Sequence, residues 1–137
     1  MRLPATALLS SLLLLGCAPV PEPPPTADPM TGCFATGPRK AADFRIERHG
    51  GHYQLSLHRE GRWQADTVPL RNGSPADIAR YFPDDGPSIA SALLGHDGAF
   101  GLFRLNEDAK VKNRDRRSDY MALLVIGAGP VYRRRCD

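Results

Sequence analysis

The chain has 137 residues and a formal net charge of +3, from 18 basic and 15 acidic side chains. This length predicts one domain, and so small a positive excess does not indicate a nucleic-acid-binding protein. Thirteen glycines and 13 prolines favour a loop-rich β domain or an extended linker.

The amino terminus has the pattern of an export signal. Arg2 supplies a short positive region, and about a dozen mostly apolar residues follow from Leu3 to Leu15. A transmembrane helix needs roughly 20 apolar residues, so this segment is too short to span a bilayer and is typical of a secretory signal peptide.

The sequence around the first cysteine indicates which kind of signal this is. Ordinary cleavage before Cys17 would place Leu14 where a small residue is required. The segment Leu14-Leu15-Gly16-Cys17 instead resembles the lipobox of bacterial lipoproteins. This resemblance implies that residues 1–16 are removed and that Cys17 is lipidated and inserts its acyl chains into a bilayer. Because Ala18 and not an aspartate follows, it also implies the outer membrane of a Gram-negative bacterium. The alternative is a plain signal peptide with a chance cysteine.

A proline-rich segment follows the cysteine. Six prolines lie between Ala18 and Thr31, and proline both fixes φ and removes a backbone donor. Residues 17–31 are therefore predicted to form an extended tether, which at about 3.1 Å per residue reaches roughly 40 Å. Residues 32–137 are predicted to form the globular domain.

The two remaining cysteines predict a disulfide. If Cys17 is lipidated, Cys33 and Cys136 form an even pair in an exported protein, where disulfides persist. The bond would join the two ends of the domain. The alternative is a redox-active or metal-binding pair, which no CxxC spacing supports.

The first part of the domain predicts a β-hairpin and then a helix. Alternating apolar residues in "DFRIER" and "HYQLSLH" indicate two strands joined at Gly50-Gly51. After a third strand in "RWQADTVPLR", Ser74 has the position of an N-cap, with Pro75 first in the helix. This pattern predicts a helix over 75–82.

The second half of the domain predicts further strands. "SIASALLG" is compatible with a short helix or a strand, and helical or irregular structure is favoured. "DGAFGLFRLNE" is predicted to be a strand, and Asp108–Asp119 an exposed loop. The apolar run Tyr120–Gly129 predicts one central strand buried on both faces, and the last strand ends at Cys136. The predicted fold is mainly β: a small antiparallel barrel or sandwich of six to eight strands with one short helix, closed by the disulfide.

The sequence motifs predict a protein without enzymatic activity, cofactor or metal. No nucleophile elbow, phosphate-binding loop or metalloprotease motif occurs. His49 and His52 can meet across a hairpin turn, but two histidines alone are weak support for zinc. One basic group is a candidate contact for an anionic partner, the alternative being a solvated loop; its residues are Lys110, Lys112, Arg114, Arg116 and Arg117.

A membrane-anchored, disulfide-closed β domain on a spacer is suited to capturing another envelope or secreted protein. Its layout resembles small lipoproteins that inhibit lysozymes, which implies a non-enzymatic inhibitor or immunity-type protein against a cell-wall hydrolase. The alternatives are an assembly accessory of an envelope complex and a barrel that carries a small apolar ligand. Such a barrel needs a cavity, but the side chains predicted to point into its interior are able to fill it. These residues are Phe44, Leu55, Leu57, Phe103, Leu123 and Val125.

Overall fold

The computed structural model describes residues 28–67, 69–96, 98–112 and 118–137, without the side chains of residues 110–112. The predicted lipidation site Cys17, the signal peptide and most of the predicted tether lie outside the described residues. Arg114, Arg116 and Arg117 also lie outside them.

The described residues form one antiparallel sheet of nine strands, curled into a half-barrel. The strands are β1 Gly32–Ala35, β2 Phe44–His49, β3 His52–Arg59, β4 Arg62–Ala65, β5 Arg71–Asn72, β6 Ile89–Leu94, β7 Gly101–Leu105, β8 Tyr120–Leu124 and β9 Gly127–Arg134. Their order in the sheet is β4-β3-β2-β1-β9-β8-β7-β6-β5. The prediction of a mainly β, antiparallel fold is confirmed, but the six to eight predicted strands are too few.

The segment between β4 and β5 brings the two edges of the sheet together. The Asp66 amide donates to the Leu55 carbonyl over 2.7 Å, and the Leu70 amide donates to the Tyr53 carbonyl over 3.0 Å. Leu70 therefore forms an isolated antiparallel bridge with β3, immediately before the chain enters β5 at the other edge. This return gives the sheet its strong curvature.

The predicted hairpin of β2 and β3 is confirmed. Its strands pair from Phe44↔Leu57 to His49↔His52. Gly50 and Gly51 form the turn with φ values of 54° and 90°, which glycine adopts without the steric cost of a Cβ. The alternation predicted from the sequence places the apolar side chains of both strands on the concave face.

Two apolar clusters lie on opposite faces of the sheet. The inner cluster fills the concave face and consists of Met30, Phe34, Phe44, Ile46, Leu55, Leu70, Leu93, Phe100, Leu102, Tyr120, Ala122 and Val131. The outer cluster lies on the other face of β6 and β7 and consists of Ile89, Ala92, Leu94, Phe103, Leu105 and Ala109. Strands β6 and β7 are therefore buried on both faces, as their continuous apolar sequences require.

Helix α1, Pro75–Tyr81, covers the outer cluster and confirms the predicted helix. The Ser74 hydroxyl accepts from the Asp77 amide over 3.1 Å, and the Asp77 carboxylate accepts from the Ser74 amide over 2.9 Å. This reciprocal capping box satisfies two helix-end donors. Phe82, just after the helix, contacts Phe103 edge to face at 4.8 Å between ring centroids.

Three predictions for the second half of the domain are wrong. The helical or irregular structure favoured for Ser88–Gly95 is not observed beyond Ser88, because Ile89–Leu94 form β6 between the two clusters. The predicted single strand Tyr120–Gly129 is a hairpin, with Leu124 paired to Gly127 around a turn of Val125 and Ile126. The predicted exposed loop Asp108–Asp119 begins inside a second helix, α2, Glu107–Lys112.

The predicted disulfide between Cys33 and Cys136 is present, with the two Cα atoms 5.3 Å apart. Cys33 is fully buried in β1, opposite Arg134 of β9. The bond therefore fastens the pairing of the first and last strands in the middle of the sheet order.

Candidate functional site

One end of the half-barrel is closed by the segment that precedes β1. Met30 is only 4% exposed and belongs to the inner cluster. The Tyr120 hydroxyl donates to the Pro29 carbonyl over 2.7 Å, and the Arg133 guanidinium donates to the Thr31 carbonyl over 2.7 Å. The last four residues of the predicted tether, Asp28–Thr31, are thus packed against the sheet, and we call this the plugged end.

Asp28 is the polar centre of the plugged end. Its carboxylate accepts from the Tyr53 hydroxyl over 2.6 Å and from the Met30 amide over 2.9 Å, with Arg48 3.7 Å away. Burial opposes ionisation, but these hydrogen bonds and the charges of Arg48 and Arg133 outweigh it, so the pKa of Asp28 is lowered. The same hydrogen bond, together with burial, raises the pKa of Tyr53.

We expect Asp28→Asn to lower the free energy of unfolding by about 1 kcal/mol at neutral pH, because a charge-assisted hydrogen bond is weakened. The folded pKa of Asp28 is below its unfolded value of about 3.9. Its contribution is therefore complete above about pH 4 and lost as the pH falls through the folded pKa. Urea unfolding at several pH values should show less acid destabilisation in the variant than in the parent. Asp84→Asn, in an exposed turn, is the control; an equal effect there would contradict this role.

The opposite end of the half-barrel contains an apolar cavity of about 410 Å³, and we call this the open end. Its walls come from β3, from the chain before β5, from the β6–β7 connection and from the β8–β9 turn. The lining residues are Leu55, Leu57, Arg59, Asp66, Leu70, Gly95, Ala99, Phe100, Leu124, Val125 and Ile126. Five of them belong to or pack on the inner cluster, so the cavity continues the interior; they are Leu55, Leu57, Leu70, Phe100 and Leu124.

The rim of the cavity carries two exposed aliphatic side chains. Val125 is 87% exposed and Ile126 is 90% exposed, and together they form the β8–β9 turn. Gly127 follows with a φ of 135°, a conformation that a residue with a Cβ rarely adopts. We call Val125 and Ile126 the hairpin tip.

One arginine lines the same opening, and a second arginine is its cross-strand neighbour. Alternation along β3 places Tyr53, Leu55, Leu57 and Arg59 on one face, and Arg59 lines the cavity. Arg62 of β4 pairs directly with Arg59 across the hairpin. Within the described residues, no carboxylate lies within 4 Å of either guanidinium. Like charges directly opposite in a sheet repel each other.

The predicted inward set is only partly correct. Phe44, Leu55 and Leu57 face the interior, but Phe103 and Leu123 belong to the outer side, beneath α1. Val125 is in the hairpin tip, because the predicted strand is interrupted there. These departures leave the open end unfilled.

The side chains of the predicted basic group lie outside the described part of the structure. Lys110 and Lys112 belong to α2, whose backbone alone is described at these positions, and Arg114, Arg116 and Arg117 lie outside the described residues. They fall in the β7–β8 connection, which starts and ends at the plugged end, so their role as anionic-partner contacts stays a prediction. The sequence-based prediction missed the tip, because two consecutive β-branched residues favour a continuous strand.

A second groove, of about 650 Å³, lies outside the sheet between α1 and β6. Its walls include Pro75, Ile78, Phe82 and Pro87, and no charged side chain lines it in the described part of the chain. Among residues the structure describes, no group of three or more histidine, cysteine or carboxylate side chains is placed to hold a metal ion. None of the described helices has the length and apolarity needed to cross a membrane.

Comparisons with protein-family models, with curated proteins and with solved structures each find no match to this chain. The combination of an apolar cavity and an exposed aliphatic tip makes the open end the candidate functional site.

Proposed function

We propose that this protein is a lipid-anchored envelope lipoprotein that binds another protein, without catalysis, through its open end. The partner we favour is a cell-wall hydrolase, which the bound domain would inhibit. The observation that carries this proposal is the hairpin tip, where Val125 and Ile126 project almost fully into solvent beside an apolar cavity.

The tip has the physical properties of a binding determinant. Exposed aliphatic surface gains about 25 cal/mol for each Å² removed from water on binding. Val125 and Ile126 are β-branched, so their χ1 angles are already restricted and little side-chain entropy is lost on contact. The turn is held between paired strands, so the backbone is also ordered in advance.

The described end of the proposed tether and the proposed contact lie at opposite ends of the domain. Asp28–Thr31, which lead back toward Cys17, are packed at the plugged end. A tether that leaves from there would direct the open end away from the bilayer. This arrangement supports contact of the tip with a soluble partner more than insertion of the tip into the anchoring membrane.

The test is inhibition of purified muramidases, amidases and endopeptidases, measured as the rate of peptidoglycan clearing. We expect one class to be inhibited stoichiometrically, and expect Val125→Asp/Ile126→Asp to weaken inhibition at least about thirtyfold, as for a hot spot worth about 2 kcal/mol. Charge at the tip would have to be desolvated in the complex.

The matched control is His52→Asp, an exposed substitution at the β2–β3 turn of the plugged end. It introduces one carboxylate at an exposed turn, as each of the two tip substitutions does, and should leave inhibition unchanged. The proposal is abandoned if no hydrolase class is inhibited, or if the tip variant and the His52 variant inhibit equally well.

A further inference from the structure

The interior of the open end supports an inference beyond protein binding. We propose that the cavity binds one acyl chain of a single-chain amphiphile whose head group carries one negative charge. The chain would occupy the apolar interior, and the head group would lie at Arg59 and Arg62.

The cavity matches an acyl chain in its lining and its size. The walls include Leu55, Leu57, Leu70, Phe100 and Leu124, and Arg59 and Asp66 are the charged residues among the described lining. A volume of about 410 Å³ falls in the range of about 300–1,000 Å³ typical of small-molecule sites. Such a lining offers dispersion contacts and water exclusion but no hydrogen bonds, which suits a hydrocarbon chain.

The charges at the mouth select the head group. Arg59 and Arg62 face each other across the β3–β4 hairpin, and no carboxylate within the described ranges is close enough to form an ion pair with either. An anion between the two guanidinium groups relieves their repulsion and accepts charge-assisted hydrogen bonds. The Asp66 carboxyl, which also lines the cavity, opposes a second negative charge. A monoanion is therefore favoured over a dianion.

The mouth gives the ligand an entry route distinct from the plugged end. Val125 and Ile126 form one side of the opening and remain exposed. The Leu70 bridge to β3 closes the wall opposite them, so the chain enters lengthwise from the open end. The carboxylate of a fatty acid and the phosphodiester of a lysophospholipid share the required chemistry.

The test is calorimetric titration of the mature chain, residues 17–137, carrying Cys17→Ser so that no detergent is needed. Dodecanoate, decanoate, lysophosphatidylglycerol, dodecyl phosphate and dodecylammonium serve as probes, each below its micelle concentration.

We expect dodecanoate to bind one to one. Decanoate should bind about fifteenfold more weakly, since each buried CH₂ contributes about 0.8 kcal/mol, or about fourfold. Dodecyl phosphate and dodecylammonium should each bind at least about tenfold more weakly than dodecanoate. The relative affinity of lysophosphatidylglycerol distinguishes a phospholipid source from a free fatty acid.

Variants separate the cavity from the tip. Ala99→Phe and Leu124→Trp each fill the cavity and should abolish the heat of dodecanoate binding. Arg59→Gln should weaken the affinity for dodecanoate about tenfold and reduce the ratio of the affinities for dodecanoate and dodecylammonium. Arg39→Gln, in the exposed β1–β2 connection, is the matched control and should bind like the parent. Thermal unfolding of each variant verifies that the sheet is intact.

Three results would overturn the inference: no saturable binding of dodecanoate, equal affinity for dodecylammonium, or unchanged binding in both folded cavity variants. Binding seen only with phosphatidylglycerol vesicles and lost in Val125→Asp/Ile126→Asp would also overturn it, because the tip would then be a membrane contact. Hydrolase inhibition retained by Ala99→Phe would show that the protein contact is independent of the cavity.

Discussion

Replacing both Cys33 and Cys136 with alanine is expected to lower the free energy of unfolding by about 2–5 kcal/mol. The bond joins residues 103 positions apart, and the chain-entropy relation gives about 4.7 kcal/mol for a loop of this length. For a domain of about a hundred residues this is a large share of a total stability of roughly 5–15 kcal/mol.

The position of the bond adds to its effect. β1 has only four residues, and its pairing with β9 connects the β2–β4 side of the sheet to the β6–β8 side. Cys33 is fully buried beside Phe34, which stacks on Phe44 at 5.3 Å between ring centroids. Loss of the bond therefore loosens the strand pair on which the inner cluster depends.

Urea unfolding measures this prediction directly. The alanine double variant and the parent protein in excess reductant should unfold at the same lowered midpoint, and the oxidised parent at a higher one. If the free energies of unfolding of the oxidised parent and the variant differ by less than about 0.5 kcal/mol, strand pairing alone holds the two ends of the domain together.

Replacing Cys17 with serine is expected to abolish membrane association, provided that the variant is exported with an ordinary cleavable signal peptide in place of residues 1–16, so that the apolar segment Leu3–Leu15 is still absent from the product. Each acyl CH₂ contributes about 0.8 kcal/mol of burial in a bilayer, so removal of several chains changes partitioning by many orders of magnitude. The sequence of the proposed tether offers no substitute, because it is rich in proline and charged or small residues and contains no long apolar run.

Intact-mass measurement and membrane fractionation check this expectation in cells. The parent protein should carry the mass of its acyl groups on a chain that starts at Cys17, and Cys17→Ser should lose both that mass and the membrane fraction. The Cys33→Ala/Cys136→Ala variant is the control, since it changes cysteine content but should remain acylated. An unmodified Cys17 in the mature parent would remove the anchor from the proposed function.

Local sequence patterns were sufficient to predict the elements whose conformation depends on residues that are close in the chain. The Gly50-Gly51 turn and the alternation on both sides of it predicted the β2–β3 hairpin, because turn geometry and pleat are set within a few residues. Ser74, Pro75 and Asp77 predicted α1 for the same reason, since capping is local.

The predictions that were wrong concern segments whose structure depends on their packing partners elsewhere in the sheet. Ser88–Gly95 has too little alternation to be recognised as a strand, because the outer cluster beneath α1 buries the face that would otherwise be polar. Valine and isoleucine are not typical turn residues, so no local pattern at Val125 and Ile126 indicated a break between β8 and β9. The candidate site was missed with them, since its tip is that turn.

The sequence by itself determined the class of the domain, its disulfide, one hairpin and one helix. Each of these follows from composition, cysteine parity or short-range backbone preference. Only the tertiary structure decided that nine strands form one curled sheet, that Met30 plugs one end, and that the other end stays open beside an exposed tip. The physical reason is that curvature and strand partners bring Leu70 to β3 and the β8–β9 turn to the β6–β7 connection, and no local pattern encodes those distances.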